Sequence, residues 1–371
     1  MDKEMHAVTI REVSPRDGLQ NIPFPIPTET KIELIDRLTR TGLRTIELTS
    51  VVSSKAVPQL ADWREIVASH VVRSKQGGEC NESEGSNPSS RSMSRSSICS
   101  DESYSRPNPQ LLLPVLIPNL QGLRLLQPHF SPPAISVFVS ATLPFSLTNT
   151  HCTIAEGLAR ARAVTHAAKE SGTAWVRGYI SCITRDPITC SPTPHSSVLQ
   201  CAEYLLDSGV DEVVLSDTDG SGTAASVDSL LMYLKDNGVD MDNMAGHFHD
   251  TFHRGLENVW AAYCHGVRVF DGSIAGLGGC PFAPGAKGNT DTGEMVQMFE
   301  QRGIPTGVDR AVLAETGRWI KEEIGELEAA YKMEKLRDKR DSGCWTDEKT
   351  SIMDKNSGHW SALTRPIMFQ Q

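Results

Sequence analysis

The sequence contains no apolar run approaching the roughly 18 residues that would cross a bilayer, which excludes a membrane-spanning helix. It is short of positive charge: 36 Lys and Arg face 46 Asp and Glu, leaving a formal net charge of -10. Phosphate backbones need a basic face, so nucleic acid is excluded as the main partner. The 9 cysteines are an odd number, and none stand in C-x-x-C spacing. That pattern excludes a disulfide framework and a zinc finger, and it fits a reducing compartment. No G-x-G-x-x-G turn is present, so the usual dinucleotide fingerprint is missing. The first strand begins within about six residues of Met1, which leaves no room for a signal or transit peptide. Phe369-Gln370-Gln371 is not a peroxisomal tail. The expected location is therefore the cytoplasm; a mitochondrial address would require a longer N-terminus.

What the chain does contain is a rhythm. Short β-branched runs occupy 7–13, 45–51, 111–117, 134–140, 174–181, 210–216, 244–249 and 267–276. Amphipathic stretches separate them, and glycines follow several of these as stops, at Gly42, Gly172, Gly209, Gly238 and Gly266. Eight strands each followed by a helix predict an α/β fold, a (β/α)8 TIM barrel, with a doubly wound open sheet as the runner-up. The catalytic domain is expected over 1–340. Residues 73–110 interrupt it between the second helix and the third strand. They are crowded with Ser, Gly and Asn and poor in apolar residues, so disorder is expected there. This insert is either a phosphorylatable loop or the product of a faulty gene model. An irregular tail is expected over 341–371.

In such a barrel the active site lies at the C-terminal ends of the strands. The first strand runs into VSPRDGLQN, placing Arg16 beside Asp17. Burying that pair would be costly and exposing it worth little, so a polar cavity is the natural setting. The second strand carries Glu47, the sixth ends at Asp217 within LSDTDG, and the seventh reads GHFHDT. His247 and His249 are two apart, so on a strand both imidazoles share one face. Alone, that spacing reads most simply as two ordinary strand histidines. Asp17 and a carbonyl oxygen from Asn289 at the same barrel end favour a mixed nitrogen and oxygen metal site instead. Such a site suits Mg2+ or Mn2+, with Zn2+ less favoured. Cys280, in a loop rich in glycine and proline, is a candidate acid/base or redox-sensitive thiol. Asp250 and Asp271 are expected to be structural, capping a helix and tethering a strand end.

SPRDGLQN, IELTS, HFHDT and above all SIAGLGGCPFAPGAKGN resemble the hydroxymethylglutaryl-CoA lyase family, over about residues 7–72 and 111–325. The resemblance implies metal-dependent cleavage of 3-hydroxy-3-methylglutaryl-CoA to acetyl-CoA and acetoacetate. It implies a metal on Asp17, His247, His249 and Asn289, and Arg16 on the thioester oxygen, oriented by a bidentate pair with Glu47. Asp217 or His247 would act as the base, and Cys280 would protonate the departing enolate. The partner is then a small-molecule acyl-CoA, and the protein a homodimer. Leu143 stands where the family carries an acid, and 182–190 replaces a more regular loop. A more apolar wall at Leu143 would admit a longer 3-alkyl group. The alternatives are an aldol-type synthase that condenses acetyl-CoA, and a catalytically impaired barrel that binds acyl-CoA.

Overall fold

The alternation of β-branched runs and amphipathic segments builds a closed barrel. The computed structural model describes residues 7–75, 111–280 and 283–341, excepting the side chains of 75, 280, 283–287 and 338–341. The strands are β1 (Thr9–Glu12), β2 (Thr49–Ser50), β3 (Val115–Leu116), β4 (Ala134–Ser140), β5 (Trp175–Ser181), β6 (Glu212–Asp217), β7 (Met244–Phe248) and β8 (Val269–Gly272). They pair in parallel in the order β1-β8-β7-β6-β5-β4-β3-β2. A parallel bridge between Glu12 and Ile46 joins the two ends, with Glu12 N donating to the Thr45 carbonyl at 2.9 Å and Glu47 N to that of Glu12 at 2.8 Å. The expected (β/α)8 barrel is therefore present. The second and third strands are shorter than expected. Pro114 has no N–H to contribute to the ladder, and regular pairing resumes only at Val115.

Helices pack around the barrel: α1 (Thr28–Thr39), α2 (Trp63–Ala68), α3 (His70–Lys75), α4 (Leu120–Leu126), α5 (Leu143–Thr150), α6 (Ile154–Glu170), α7 (His195–Asp207), α8 (Ala224–Asp236), α9 (Gly255–Cys264), α10 (Thr292–Glu300) and α11 (Arg310–Asp341). None is long and apolar enough to cross a membrane. The insert begins later than expected: 73–75 belong to α3, and 76–110 lie outside the described residues. The tail 342–371 lies outside them too. The glycine-rich loop after β8 is not wholly irregular, because β9 (Gly279–Cys280) and β10 (Ala283–Lys287) pair antiparallel. Gly42 illustrates the helix stops: its φ is +85, and a Cβ there would meet the Gly307 carbonyl oxygen at 2.5 Å.

Strand alternation sorts side chains into two environments. Val176 and Ile180 of β5, Val213 and Leu215 of β6, and Phe270 of β8 join the main core between strands and helices. Tyr179, Val214 and Ala245 belong to a small cluster inside the barrel. Below that cluster the interior is ionic, with Arg177 held by Glu212 and Asp271.

Glu12 ties the end of β1 to the segments that follow β8. Its Oε1 accepts from Ser14 N at 3.0 Å and Ile274 N at 2.9 Å, and its Oε2 accepts from the Thr292 hydroxyl at 2.7 Å. Burial pushes the carboxyl up to about 7, against those hydrogen bonds, which lower it. The unfolded chain thus loses this proton first, and stability should fall as pH rises from about 4.5 to 7, by about 3 kcal/mol. Glu12→Gln keeps the carbonyl for both N–H groups, and Thr292 can turn to accept. Urea unfolding from pH 5 to 8 should show this variant with a flatter profile and at least wild-type stability at pH 8. Glu12→Ala strands two buried N–H groups and should lose about 3 kcal/mol.

Candidate metal and active site

The site begins where β1 ends. The Val13 carbonyl accepts from the N–H groups of Arg16, Asp17 and Gly18 at 3.2, 2.7 and 3.3 Å. This wide helical turn swings Arg16 and Asp17 into the mouth of the barrel. Arg16 Nε and Nη2 reach Glu47 Oε2 at 2.6 and 2.5 Å, and Nη1 pairs with Asp17. Arg16 and Glu47 come together as expected, but through one oxygen rather than two; Glu47 Oε1 has no hydrogen-bond partner among the described residues. Burial works against the charge on Arg16, but Glu47 and Asp17 outweigh it, and the guanidinium is held charged.

From β7 and the residue after it, His247 and His249 point to the same side. Asp17, His247 and His249 can place one ligand atom each within 4.8 Å of one another. His247 Nδ1 lies 3.1 Å from Asp271 Oδ2, and its Nε2 lies 3.9 Å from Asp17 Oδ2. A proton on Nδ1, shared with Asp271, leaves the Nε2 lone pair facing Asp17. The His249 ring hydrogen-bonds to the Thr218 backbone, while its buried Nδ1 has no partner among the described residues. Burial, and then His247, push His249 down to about 4, so it is uncharged at neutral pH, as a ligand must be. Burial raises the Asp17 carboxyl, but Arg16, His247 and His249 outweigh it and hold it below its ordinary value.

Asn289 lies alongside, bridged to His249 and hydrogen-bonded to Asp17. Its Nδ2 donates to the Leu277 carbonyl at 3.2 Å, leaving the buried Oδ1 without a partner among the described residues. The space beside it is kept open by Gly278, whose φ is +119 and whose added Cβ would stand 2.8 Å from Asn289 Nδ2. Carboxylate, imidazole and an unsatisfied amide oxygen form a donor set that fits a divalent ion.

Arg16, Asp17, His247 and His249 line a cavity of about 140 Å³. Tyr179 closes its inner end, and Leu116, Phe138, Phe145 and Ile188 make its apolar wall. Three expectations need correction. Asp217 does not line the cavity. It alternates with Ser216 and Thr218, which do, so its side chain turns to the opposite face. There its oxygens accept from the Thr184 hydroxyl at 2.6 Å and Gly222 N at 3.0 Å. Burial pushes it up to about 6, despite these bonds. Leu143 is not the wall either: it is 45% exposed on the first turn of α5, whereas Phe145 of the same helix faces the cavity. Asp271 does more than tether a strand, since it carries His247. Asp250 does cap a helix, accepting from Gly255 N at 3.1 Å at the start of α9.

The Cys280 side chain lies outside the described residues. Its backbone opposes Ala283, and the Asn21 amide donates to the neighbouring Gly279 carbonyl at 3.0 Å, so the loop is tied to the turn after β1. Tyr179 escaped the sequence reading, and Asp271 entered it only as a strand tether. The available signal was parity: Tyr179 is two residues from Arg177, and Asp271 two from Val269, on the inward faces.

A profile of proteins described as HMGL-like matches residues 129–320. The mitochondrial hydroxymethylglutaryl-CoA lyase of Arabidopsis thaliana is 39% identical over 318 residues, covering 86% of this chain and 60% of that protein. The chain thus spans less than two thirds of that relative's length. The cytoplasmic 3-hydroxy-3-methylglutaryl-CoA lyase of Danio rerio is 40% identical over 313 residues, covering 84% of this chain and 82% of that protein. The crystal structure of the HMG-CoA lyase from Brucella melitensis superposes with a TM-score of 0.73 at 38% identity, covering 85% of this chain and 98% of that one. With the barrel, the Asp-His-His cluster and the paired arginine in place, these likenesses converge, and the chain belongs to the HMGL-like family.

Proposed function

We propose that this protein is a carbon–carbon lyase that cleaves 3-hydroxy-3-methylglutaryl-CoA to acetyl-CoA and acetoacetate, using Mg2+ or Mn2+. The observation that carries the reading is the placing of a buried guanidinium, Arg16, against the Asp17, His247 and His249 cluster within one cavity. Retro-Claisen cleavage needs both. The substrate's tertiary hydroxyl must lose its proton, and the electron pair of the breaking C–C bond must come to rest on the thioester as an enolate.

Asp17, His247, His249 and Asn289 would hold the ion, which supplies Lewis acidity to the hydroxyl when bound. Arg16 is fixed by Glu47 and Asp17, and its further N–H groups, which have no partner among the described residues, would serve the thioester oxygen. A preorganised cation there stabilises the enolate without reorganising. With Asp217 turned away, His247 is the base we retain, because Asp271 behind it would stabilise the imidazolium. Nε2 has a single lone pair, so where His247 accepts the proton, Asp17, His249 and Asn289 would hold the ion. Cys280 is the proposed donor to the enolate carbon, completing acetyl-CoA. A homodimer in the cytoplasm is proposed on the likeness to the family, to be checked by analytical ultracentrifugation and cell fractionation.

Metal-stripped protein should be inactive, and Mg2+ or Mn2+ should restore release of acetyl-CoA and acetoacetate. His249→Ala should lose both activity and tight Mn2+ binding. Arg16→Gln should still bind Mn2+, though several-fold more weakly because its pairing with Asp17 is lost, while kcat falls about a thousandfold. Folded, Mn2+-binding protein that yields no product would sink the lyase reading; consumption of acetyl-CoA with a 2-oxo acid would favour the synthase.

The apolar wall makes a separate prediction. Leu143→Glu should leave kcat/KM for the methyl substrate within about twofold, as expected of an exposed position. Phe145→Ala should change it about tenfold or more. The reverse ranking, measured on the same preparation of substrate, would return Leu143 to the cavity wall.

A further inference from the structure

We infer that Arg177 is a positioning residue for the metal site, acting on His247 and Asp17 from opposite sides. This rests on the reading of Asp17, His247 and His249 as ion ligands. Arg177 is 1% exposed, inside the barrel beneath the cavity. One of its arms is short. Nη2 donates to Asp271 Oδ1 at 2.5 Å, and Asp271 Oδ2 lies 3.1 Å from His247 Nδ1.

The other arm is longer. Nη1 donates to the Tyr179 hydroxyl at 3.0 Å, and that hydroxyl donates to Glu47 Oε2 at 3.2 Å. The same Glu47 oxygen holds Arg16, and Arg16 pairs with Asp17. Because His247 Nε2 stands 3.9 Å from Asp17 Oδ2, the two arms close into a ring at the point where an ion would sit. Arg177 itself cannot turn. Its Nε donates to Glu212 Oε1 at 2.8 Å, and Glu212 Oε2 is held by Arg11 at 2.5 Å.

A planar guanidinium can serve Glu212, Asp271 and Tyr179 at once, each in a different direction; an ammonium of the same charge cannot reproduce that fork. If Arg177 only balanced charge in the barrel floor, replacing it would lower thermal stability without altering affinity at the site above. Positioning predicts a change in metal affinity as well.

Mn2+ titration by calorimetry on the full chain, with circular dichroism and thermal melts as folding controls, separates these cases. Asp271→Asn should weaken Mn2+ binding about tenfold, the usual cost of removing an outer-shell partner. Tyr179→Phe, which deletes one hydroxyl remote from the ion, should weaken it about threefold. Arg177→Lys should weaken it about thirtyfold, since it disturbs both arms. Folded Arg177→Lys with wild-type Mn2+ affinity would overturn the inference. If Arg177→Lys does not fold, the other two variants decide it: wild-type affinity in Tyr179→Phe refutes the longer arm, and reduced affinity in both supports the ring. Wild-type protein that binds no Mn2+ would overturn the metal reading itself, a result distinct from any of these.

Discussion

The ion pairing of Arg177 with Glu212 and Asp271 is the constraint on which the inside of this barrel depends. The pairs are buried, at 2.8 and 2.5 Å, and Arg11 completes the balance from β1. Charges removed from water are costly, and losing one partner of such a pair leaves an uncompensated charge worth about 3–5 kcal/mol. The interior therefore accepts these four groups only as a set. Their placement spans β1, β5, β6 and β8, so satisfying them requires the strand register that closes the barrel. Register and charge balance enforce one another.

The cavity inherits this order. Above the ionic floor, the small cluster of Leu116, Tyr179, Val214 and Ala245 separates it from the polar mouth. Tyr179 crosses that layer, with its hydroxyl between Arg177 and Glu47 and its ring centroid 5.3 Å from the Arg16 guanidinium. Asp271 crosses it on the other side and reaches His247. Arg16 and His247 are thus each backed by residues from below. This is the kind of support that holds ligand geometry without an ion to impose it.

Much of this was legible in the chain. The strand and helix rhythm with its glycine stops marked the barrel, because main-chain periodicity is a local property. The His-x-His spacing put two imidazoles on one face for the same reason, and Arg16 with Asp17 declared themselves by ending an apolar run on two charges. Asp217 shows where such reasoning slipped. Its location at a strand end was right, but the alternation that places Ser216 and Thr218 in the cavity turns it outward. Leu143 slipped similarly: helical spacing exposes it and turns Phe145 inward.

By itself, then, the sequence determined the fold class and a shortlist of site residues, since both follow from local periodicity and from charges placed at strand ends. Only the tertiary structure decided how those residues are joined. Nothing in AWVRGYIS says that Arg177 faces inward to meet Glu212 from β6 and Asp271 from β8, residues 35 and 94 positions away. Nor does spacing reveal which nitrogen of His247 is taken by Asp271, or that Asn289 keeps an oxygen with no partner among the described residues. Those facts depend on which strands become neighbours and in what register, and that is settled when the whole barrel closes around its buried charges.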